Sequence, residues 1–299
     1  MTAVEQRPTF DQTSRTSAAG LHFHDYGSGP PLVLLHGSGP GVSGWTNFAD
    51  NLTIFGPRFR CLVIDMPGYG GSYIPDELDR PYPALAAPAV LGLLDELGVR
   101  QAHFLGNSMG AGVAAQLALF APERVGRLVL MGPGGVGLSV FSPAPSEGIK
   151  RLMDFNDNPT RAALMAWLET MVFDRAILTD ELIERRWEQS QRPGAIDWSR
   201  RTYDALYRRK PANPPTPLWA QSSRITAPTL ITWGRDDRVL PLDNAILPTR
   251  LIPDAELHVF ARCGHWAMIE RKDDFERVVL EFLTRPAAGP ATAPYTIGG

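Results

Sequence analysis

One segment, Gly-Asn-Ser-Met-Gly at positions 106–110, constrains this chain of 299 residues more than any other. It follows the apolar pair Phe104-Leu105 at the end of a predicted strand, and it precedes the small-residue run at 111–115, which is typical of a closely packed helix. A tight turn from strand to helix holds a serine in strained backbone geometry, and flanking glycines avoid clashes there. The segment therefore predicts a nucleophile, Ser108, at a helix N-terminus that favours developing negative charge.

Around this turn, short apolar runs alternate with turn residues and helical patterns. This rhythm is typical of a mostly parallel sheet covered by helices on both faces. The first predicted strand alternates in the manner of a half-buried strand. Active sites in such sheets are built from the loops beyond the carboxyl ends of the strands. The predicted strands are residues 21–26, 31–36, 60–65, 102–107, 127–132, 229–234 and 256–260.

The stretch 138–224 departs from this rhythm, because it carries helical patterns at 161–171 and 179–191 but no convincing strand. We predict that it is a helical lid inserted into an α/β core formed by residues 1–137 and 225–286. Residues 287–299 are rich in Pro, Gly, Ala and Thr, and we expect them to be disordered. A core with an insertion fits this chain length without a second independent fold.

Composition and charge exclude several classes of function. The net charge is −3, and no stretch concentrates Lys or Arg as nucleic-acid binding requires. Cys61 and Cys263 are too few for a disulfide framework, and no metal-binding motif is present, so we expect neither a metal nor a cofactor. No apolar run approaches the ~18 residues of a membrane span, and the polar N-terminus does not resemble an export signal. We therefore expect a cytoplasmic protein.

The sequence also supplies a base and an acid for the serine. A serine hydroxyl is a weak nucleophile at neutral pH, so it requires a base within hydrogen-bond reach and an acid that orients the base. Asp237 lies three residues after the glycine that ends the strand at 229–234, and His265 lies in the loop after the strand at 256–260. The order Ser, Asp, His is that of the α/β-hydrolase fold. We therefore predict this fold, with Ser108, Asp237 and His265 as the catalytic triad.

Asp236 competes with Asp237 for the role of the acid. Its alternative interpretation is a solvated loop carboxylate near Arg235 or Arg238. The position of Asp237 relative to Gly234 favours Asp237.

A second glycine-rich segment, His-Gly-Ser-Gly-Pro-Gly at 36–41, closes an earlier predicted strand. In this fold the corresponding loop presents a backbone N–H to the oxyanion of the reacting carbonyl, and the N–H after the nucleophile is its partner. Ser38, or a neighbour, and Met109 are the predicted donors, and His36 is interpreted as a residue that fixes the loop. The other histidines outside the triad lie in or at the head of strand patterns and are interpreted as structural: His22, His24, His103 and His258.

Several segments together resemble the meta-cleavage product hydrolases, which hydrolyse carbon–carbon bonds during bacterial degradation of aromatic compounds. Lipases and esterases share the triad, but the Gly-Asn-Ser-Met-Gly elbow, Met-Gly-Pro-Gly-Gly and Cys-Gly-His-Trp are far more specific in combination. The resemblance extends over nearly all of residues 21–283. It is carried by residues 36–41 with 45–48, 106–110, 130–135, 186–188, 233–238, and 257–260 with 263–266.

The resemblance implies a small-molecule substrate, a 2-hydroxy-6-oxohexa-2,4-dienoate made when an extradiol dioxygenase opens a catechol ring. Water would cleave the bond beside the 6-oxo group and give 2-hydroxypenta-2,4-dienoate and a carboxylic acid. The dienol must ketonise first, because only the keto form offers the leaving carbanion an electron sink. The site must therefore handle protons twice.

The same resemblance implies roles for the polar side chains. His265 would move the tautomerising proton and activate Ser108, while Asp237 would hold the His265 tautomer. Arg186, in the lid, would bind the dienoate carboxylate as a planar two-pronged donor. Pattern alone favours a different interpretation of Arg186, a surface residue that pairs along its helix with Glu181, Glu184 or Glu188. The Arg-Trp-Glu match at 186–188 reverses that preference.

Three further residues have roles through the resemblance alone. Asn47 and Asn107 would hydrogen-bond the C1 and C2 oxygens, and Trp266 would shape the pocket. Without the family, each asparagine is more often a turn-former than a ligand contact.

The sequence leaves open the size of the substituent at C6 of the substrate. Many members of the family have glycine at the position of Ser38, and the serine looks like members acting on monocyclic alkyl-substituted products. Residues 141–145 and 147–150 look instead like members that take bulkier aryl or steroid-derived products. The sequence also leaves open whether the intermediate is an acyl-enzyme or a gem-diol.

Two other functions compete with this interpretation. An ester or lactone hydrolase would share the triad and oxyanion hole but would not need a carboxylate anchor in the lid. A non-catalytic ligand-binding protein would keep the fold alone, and the intact triad argues against it. Homo-oligomers are common in the resembled family, so a homo-oligomer is open, although no segment marks an interface.

Overall fold

Eight strands form one sheet in the computed structural model, which describes residues 7–209 and 214–286. Their order across the sheet is β1-β2-β4-β3-β5-β6-β7-β8. Strand β2 pairs antiparallel with β1 and β4, and all other neighbouring pairs are parallel. The strands are β1 Ser14–Thr16, β2 His22–Tyr26, β3 Pro31–Leu35, β4 Arg60–Ile64, β5 Ala102–Asn107, β6 Val125–Met131, β7 Thr229–Gly234 and β8 Ala255–Phe260.

Helices cover both faces of the sheet, and each face has its own buried apolar cluster. The helices are α1 Phe10–Thr13, α2 Gly44–Phe48, α3 Leu52–Phe55, α4 Tyr82–Glu96, α5 Met109–Phe120, α6 Glu147–Asp157, α7 Arg161–Met171, α8 Asp180–Ser190, α9 Ala195–Tyr207, α10 Leu218–Gln221, α11 Ile246–Leu251, α12 Ala267–Glu270 and α13 Lys272–Thr284. Helices α4 and α5 pack together on one face, while α13 contributes to the cluster on the other face. This arrangement confirms the predicted α/β-hydrolase architecture.

The predicted strands are confirmed with shifts of one or two residues at their ends. Strand β1 and helix α1 have no counterpart in the predictions. The half-buried character predicted for the first strand is wrong, because His22, Phe23 and His24 in β2 are all buried. Helix α1 covers the second face of β2, where Thr13 Oγ1 and His24 Nδ1 share a 2.9 Å hydrogen bond.

The predicted lid, residues 138–224, contains α6 to α10 in its described part, and no strand lies there. Helix α8 begins where its sequence predicts, because the hydroxyl of Thr179 accepts a hydrogen bond from Leu182 N–H at 3.2 Å. The predicted disordered tail, residues 287–299, lies outside the described residues. Across 7–209 and 214–286, no helix combines the length and apolar character that crossing a bilayer requires.

Candidate active site

Ser108 lies on a sharp turn between β5 and α5. Its backbone has φ 53° and ψ −113°, a region that residues with a side chain rarely adopt. The Ser108 N–H donates to the carbonyl of Met131 at 2.8 Å, which ties the turn to β6. A Cβ at Gly110 would overlap the carbonyl of Leu35, so this position of the turn has room only for glycine. The local sequence therefore produces the strained elbow that it predicts.

Asp237 and His265 form a buried pair at the carboxyl ends of β7 and β8. Nδ1 of His265 lies 2.6 Å from Oδ2 of Asp237. The other carboxylate oxygen accepts hydrogen bonds from the N–H groups of Val239 and Leu240, at 2.8 and 2.9 Å. An ionised carboxylate only accepts, so Nδ1 of His265 carries the proton and Nε2 is left with a free lone pair. This is the tautomer that a general base requires.

Asp236 occupies a different environment from that of its neighbour. It pairs with Arg235 at 3.2 Å, and its side chain is 30% exposed. Both of its hydrogen bonds to the histidine loop are with Cys263: the Asp236 N–H donates to the Cys263 carbonyl at 2.9 Å, and its carboxylate accepts from the Cys263 N–H at 3.4 Å. Asp237, and not Asp236, contacts His265.

The end of β6 brings the serine turn and the histidine loop together. Met131 bonds the Ser108 N–H, and the next residue, Gly132, lies against the ring of His265, where an added Cβ would be 3.2 Å from Cε1. The His265 N–H donates to the carbonyl of Met171 at 2.7 Å, so the lid helix α7 also holds this loop. The Ser108 hydroxyl has no hydrogen-bond partner within the described residues. Catalytic hydrogen bonds commonly tighten only when substrate binds.

Residues 36–41, here called the oxyanion loop, lie beside the serine turn. Nε2 of His36 accepts from the N–H of Met66 at 3.0 Å, and Nδ1 donates to the carbonyl of Gly37 at 2.6 Å. Burial lowers the pKa of His36, which keeps the ring neutral in this role. His36 thus fixes the loop. In the described parts of the chain, the N–H groups of Ser38 and Met109 donate to no acceptor.

The lid rests directly on the oxyanion loop. Ser38 Oγ and the hydroxyl of Tyr203 in α9 share a 2.5 Å hydrogen bond. Gly39 (φ 124°) lies so close to Trp167 of α7 that an added Cβ would be 2.6 Å from its ring. Gly41 (φ 63°) lies against the backbone of Arg186 in α8. Only glycine combines these backbone angles with such close approach.

Arg186 is a buried cation, with 4% of its surface exposed. Its guanidinium lies 5.1 Å from the centre of the Trp266 ring. No carboxylate of the described chain lies within ion-pair distance of it, whereas its exposed neighbour Arg185 pairs with Glu181 at 3.8 Å. Burial, together with the nearby charge of Arg185, lowers the pKa of Arg186 to about 10. A buried guanidinium without a counterion is a site for an anion.

The two predicted asparagines meet at the oxyanion loop. The Gly37 N–H donates to Oδ1 of Asn47 at 3.4 Å, and an added Cβ at Gly37 would be 3.2 Å from Nδ2 of Asn107. Nδ2 of Asn47 and Oδ1 of Asn107 are buried and find no partner in the described ranges. Unpartnered buried amide atoms are costly, so these two are available to hydrogen-bond a ligand.

Tyr203 and Glu270 make side-chain hydrogen bonds in this region that have no counterpart in the predictions. Glu270 accepts hydrogen bonds from the N–H groups of Phe173, Asp174 and Gly264, at 2.7, 3.0 and 2.5 Å. It thereby joins the chain after α7 to the residue that precedes His265. The sequence gives no signal for either contact, because each joins residues far apart in the chain.

The remaining histidines have structural partners. His22 Nδ1 lies 2.7 Å from Asp65, and His103 Nδ1 accepts from the N–H of Arg127 at 3.0 Å. His258 packs its ring on Phe260. Within the described ranges, no three His, Cys, Asp or Glu side chains group as metal ligands.

A family model described as the alpha/beta hydrolase fold matches residues 30–272. The chain is 41% identical over 268 residues to a 2-hydroxy-6-oxo-6-phenylhexa-2,4-dienoate hydrolase of Burkholderia cepacia, covering 88% of this chain and 91% of the relative. It is equally identical, with the same coverage, to a 2-hydroxy-6-oxononadienedioate/2-hydroxy-6-oxononatrienedioate hydrolase of Comamonas testosteroni.

Solved structures show the same likeness. A meta-cleavage product hydrolase of Pseudomonas fluorescens IP01 superimposes with a TM-score of 0.78 at 32% identity, covering 90% of this chain and 96% of that one. The 2-hydroxy-6-oxo-6-phenylhexa-2,4-dienoate hydrolase of Rhodococcus sp. strain RHA1 has a TM-score of 0.80 at 28% identity, covering 91% and 98%.

Proposed function

The chain belongs to the meta-cleavage product hydrolases of the alpha/beta hydrolase fold, and we propose that it hydrolyses the carbon–carbon bond beside the 6-oxo group of a 2-hydroxy-6-oxohexa-2,4-dienoate. The products are 2-hydroxypenta-2,4-dienoate and a carboxylic acid. The reaction class is that of a serine-dependent C–C bond hydrolase. The resemblance inferred from the sequence motifs is confirmed.

The names of the relatives indicate which part of the substrate the family members have in common. One acts on a 6-phenyl dienoate and another on a nonadienedioate. The two substrates have the 2-hydroxy-6-oxo dienoate in common and differ beyond C6, where one carries an aryl ring and the other an acidic chain. The proposal therefore concerns the dienoate end of the molecule.

The buried, unpaired guanidinium of Arg186 is the observation that carries this proposal. A carboxylate on C1 supplies the counterion that the described part of the chain does not, through a two-pronged hydrogen bond. The free amide atoms of Asn47 and Asn107 supply hydrogen bonds for the adjacent C1 and C2 oxygens. An ester or lactone hydrolase with the same triad needs no such anion site.

The first chemical step moves a proton. The 2-hydroxy group loses its proton and C5 gains one, which converts the dienol to a 2,6-diketone. Nε2 of His265 has a free lone pair and serves as the shuttle, while Asp237 holds the ring in that tautomer. The 2-oxo group formed in this step is the electron sink for the cleavage that follows.

The second step breaks the carbon–carbon bond. Ser108, deprotonated by His265, attacks C6, and the oxyanion that forms takes hydrogen bonds from the N–H groups of Ser38 and Met109. The C5–C6 bond breaks, its electron pair enters the C2 oxygen through the conjugated chain, and the hydroxypentadienoate leaves. Water then releases the carboxylic acid from the serine. His265 passes the serine proton to the C2 oxygen as the hydroxypentadienoate leaves, and it then takes a proton from the attacking water and returns it to Ser108. One water is consumed, and each proton that His265 takes up is given back.

Stopped-flow absorbance with the yellow ring-fission products tests this function. We expect rapid bleaching of 2-hydroxy-6-oxo-6-phenylhexa-2,4-dienoate by the parent protein, and loss of product formation in Ser108→Ala. Analogues with methyl, phenyl and fused-ring groups at C6 rank the pocket by kcat/KM. Rapid cleavage of p-nitrophenyl esters without bleaching of any dienoate would identify an esterase instead.

A further inference from the structure

Three of the six residues of the oxyanion loop contact three different lid helices. Ser38 bonds to α9, Gly39 faces α7 and Gly41 faces α8. Two of these contacts are steric, since glycine leaves no side chain between loop and lid. The contact at Ser38 differs because it is a hydrogen bond between two side chains.

The core fixes the backbone on the N-terminal side of Ser38. Gly37 has its carbonyl bonded to His36 and its N–H bonded to Asn47. Ser38 has no such backbone support within the described residues, because its N–H donates to no acceptor there. In those parts of the chain, the hydroxyl of Tyr203 is the one hydrogen-bond partner of Ser38.

Tyr203 is well suited to hold its position. The residue is 6% exposed, and its ring stacks on Tyr207 with centroids 6.1 Å apart and planes 11° from parallel. Burial raises the pKa of Tyr203, so the phenol stays protonated over the working range of pH. The hydroxyl is therefore a fixed, neutral hydrogen-bond group on the lid.

We propose that Tyr203 is a positioning residue for the oxyanion hole, which aims the backbone N–H of Ser38 through the hydrogen bond to its side chain. The inference rests on the proposed role of that N–H as an oxyanion donor. In this role Tyr203 acts through Ser38, its hydrogen-bond partner, and not as a donor to the oxyanion.

The physical basis is the steep distance dependence of oxyanion stabilisation. A donor must lie about 2.7–3.1 Å from the site of the developing charge. A displacement of ~1 Å costs up to ~100-fold in rate. Loss of the Tyr203 hydroxyl releases Ser38 but leaves Arg186 and the asparagines in place. The rate of the chemical step falls, while binding of the dienoate is retained.

Tyr203→Phe tests the inference, with Tyr207→Phe as the matched control on the same helix. We expect kcat to fall about 10-fold in Tyr203→Phe with KM within about twofold of the parent, and Tyr207→Phe to behave like the parent. Ser38→Ala removes the same hydrogen bond from the loop side and should reproduce the loss. The double variant should be no slower than either single variant, because one interaction is removed in all three.

Each assay uses both the 6-phenyl dienoate and p-nitrophenyl acetate. The oxyanion hole serves both reactions, so the loss should appear with either substrate, including the case in which the parent cleaves only the ester and the proposed function fails. Parent kcat in Tyr203→Phe would overturn the inference. So would single losses that multiply in the double variant, or a rise in KM with kcat unchanged. If Tyr203→Phe does not fold, Ser38→Ala with parent kcat overturns it equally.

Discussion

The guanidinium of Arg186 lies 5.1 Å from the centre of the Trp266 ring, with lid and core meeting at this contact. Arg186 belongs to α8, and Trp266 follows His265 directly in the chain. The aromatic face partly compensates the charge, but it is a weaker partner than a carboxylate. The contact between lid and core therefore holds a cation that is prepared for an anion before the anion arrives.

Arg186→Met should separate stability from function. We expect KM for the dienoate to rise about 100-fold, because the variant loses a buried, two-pronged ion pair with the substrate carboxylate. The free energy of unfolding should rise by about 1–3 kcal/mol, because a buried charge without a counterion is removed. Steady-state kinetics and urea denaturation measure the two effects. Arg185→Met, at an exposed site, should change neither; a parent-like KM in Arg186→Met would refute the anchor.

Asp237→Asn and Asp236→Asn should differ widely in rate. An amide at position 237 no longer requires a proton on Nδ1 of His265, so we expect kcat to fall by about 1,000-fold or more. The same change at 236 removes a half-exposed ion pair with Arg235 and keeps a side-chain oxygen that can accept from the Cys263 N–H, so kcat should stay within a few-fold of the parent. Equal losses in the two variants would contradict this assignment.

Glu270→Ala should weaken both the fold and the rate. Three backbone N–H groups lose a charged acceptor, and we expect a loss of about 3 kcal/mol in the free energy of unfolding. The loop that carries His265 loosens, so kcat should fall as well. Thermal denaturation and kinetics test both effects. Glu281→Ala, which removes an exposed pair with Arg285, is the control and should be neutral.

Gly41→Ala should disturb the lid through one methyl group. A Cβ at this position would overlap the carbonyl of Arg186, and the backbone has φ 63°. We expect a loss of at least about 1 kcal/mol in stability and a fall in kcat/KM. Gly92→Ala in α4 is the matched control, because nothing lies within 4 Å of its added Cβ. That change should stabilise the protein by about 0.5–1 kcal/mol.

Stability should decline in mild acid because of His24. Burial and the nearby charge of His22 lower the pKa of His24 to about 4, while the charge of Asp65 acts in the opposite direction. A histidine with a lowered folded pKa contributes stability above its unfolded pKa of about 6.5, and the contribution is lost as the pH falls toward 4. Linkage sets an upper limit of about 3 kcal/mol. Urea denaturation between pH 7 and 4 measures the free energy of unfolding at each pH. This free energy should change less with pH in His24→Gln than in the parent or in His258→Gln.

Much of the fold follows from local patterns in the sequence. The elbow at Ser108 is specified by a strand, two glycines and a small-residue helix within one short segment, and the structure has each of these parts. The burial of β2 was not predictable from its alternation, because α1, which covers its second face, carries too few residues to show a helical period.

The place of a candidate residue was predictable where it depends on position along a strand, and not where it depends on contact between distant segments. Asp237 and Asp236 are neighbours in sequence, and the hydrogen bonds from Val239 and Leu240 distinguish them in space. The Ser38–Tyr203 pair joins residues 165 positions apart. Neither residue type signals such a pair, because serine and tyrosine occur in many environments.

The contacts between the lid and the oxyanion loop restrict how the lid of this protein can be exchanged. Helices α9, α7 and α8 pack on Ser38, Gly39 and Gly41, respectively. Lid and loop must therefore be exchanged as one module. A chimaera that receives a foreign lid over this loop would inherit mismatched contacts at its catalytic centre. Libraries that alter the lid to admit new C6 groups should therefore vary residues 38–41 in the same gene fragment.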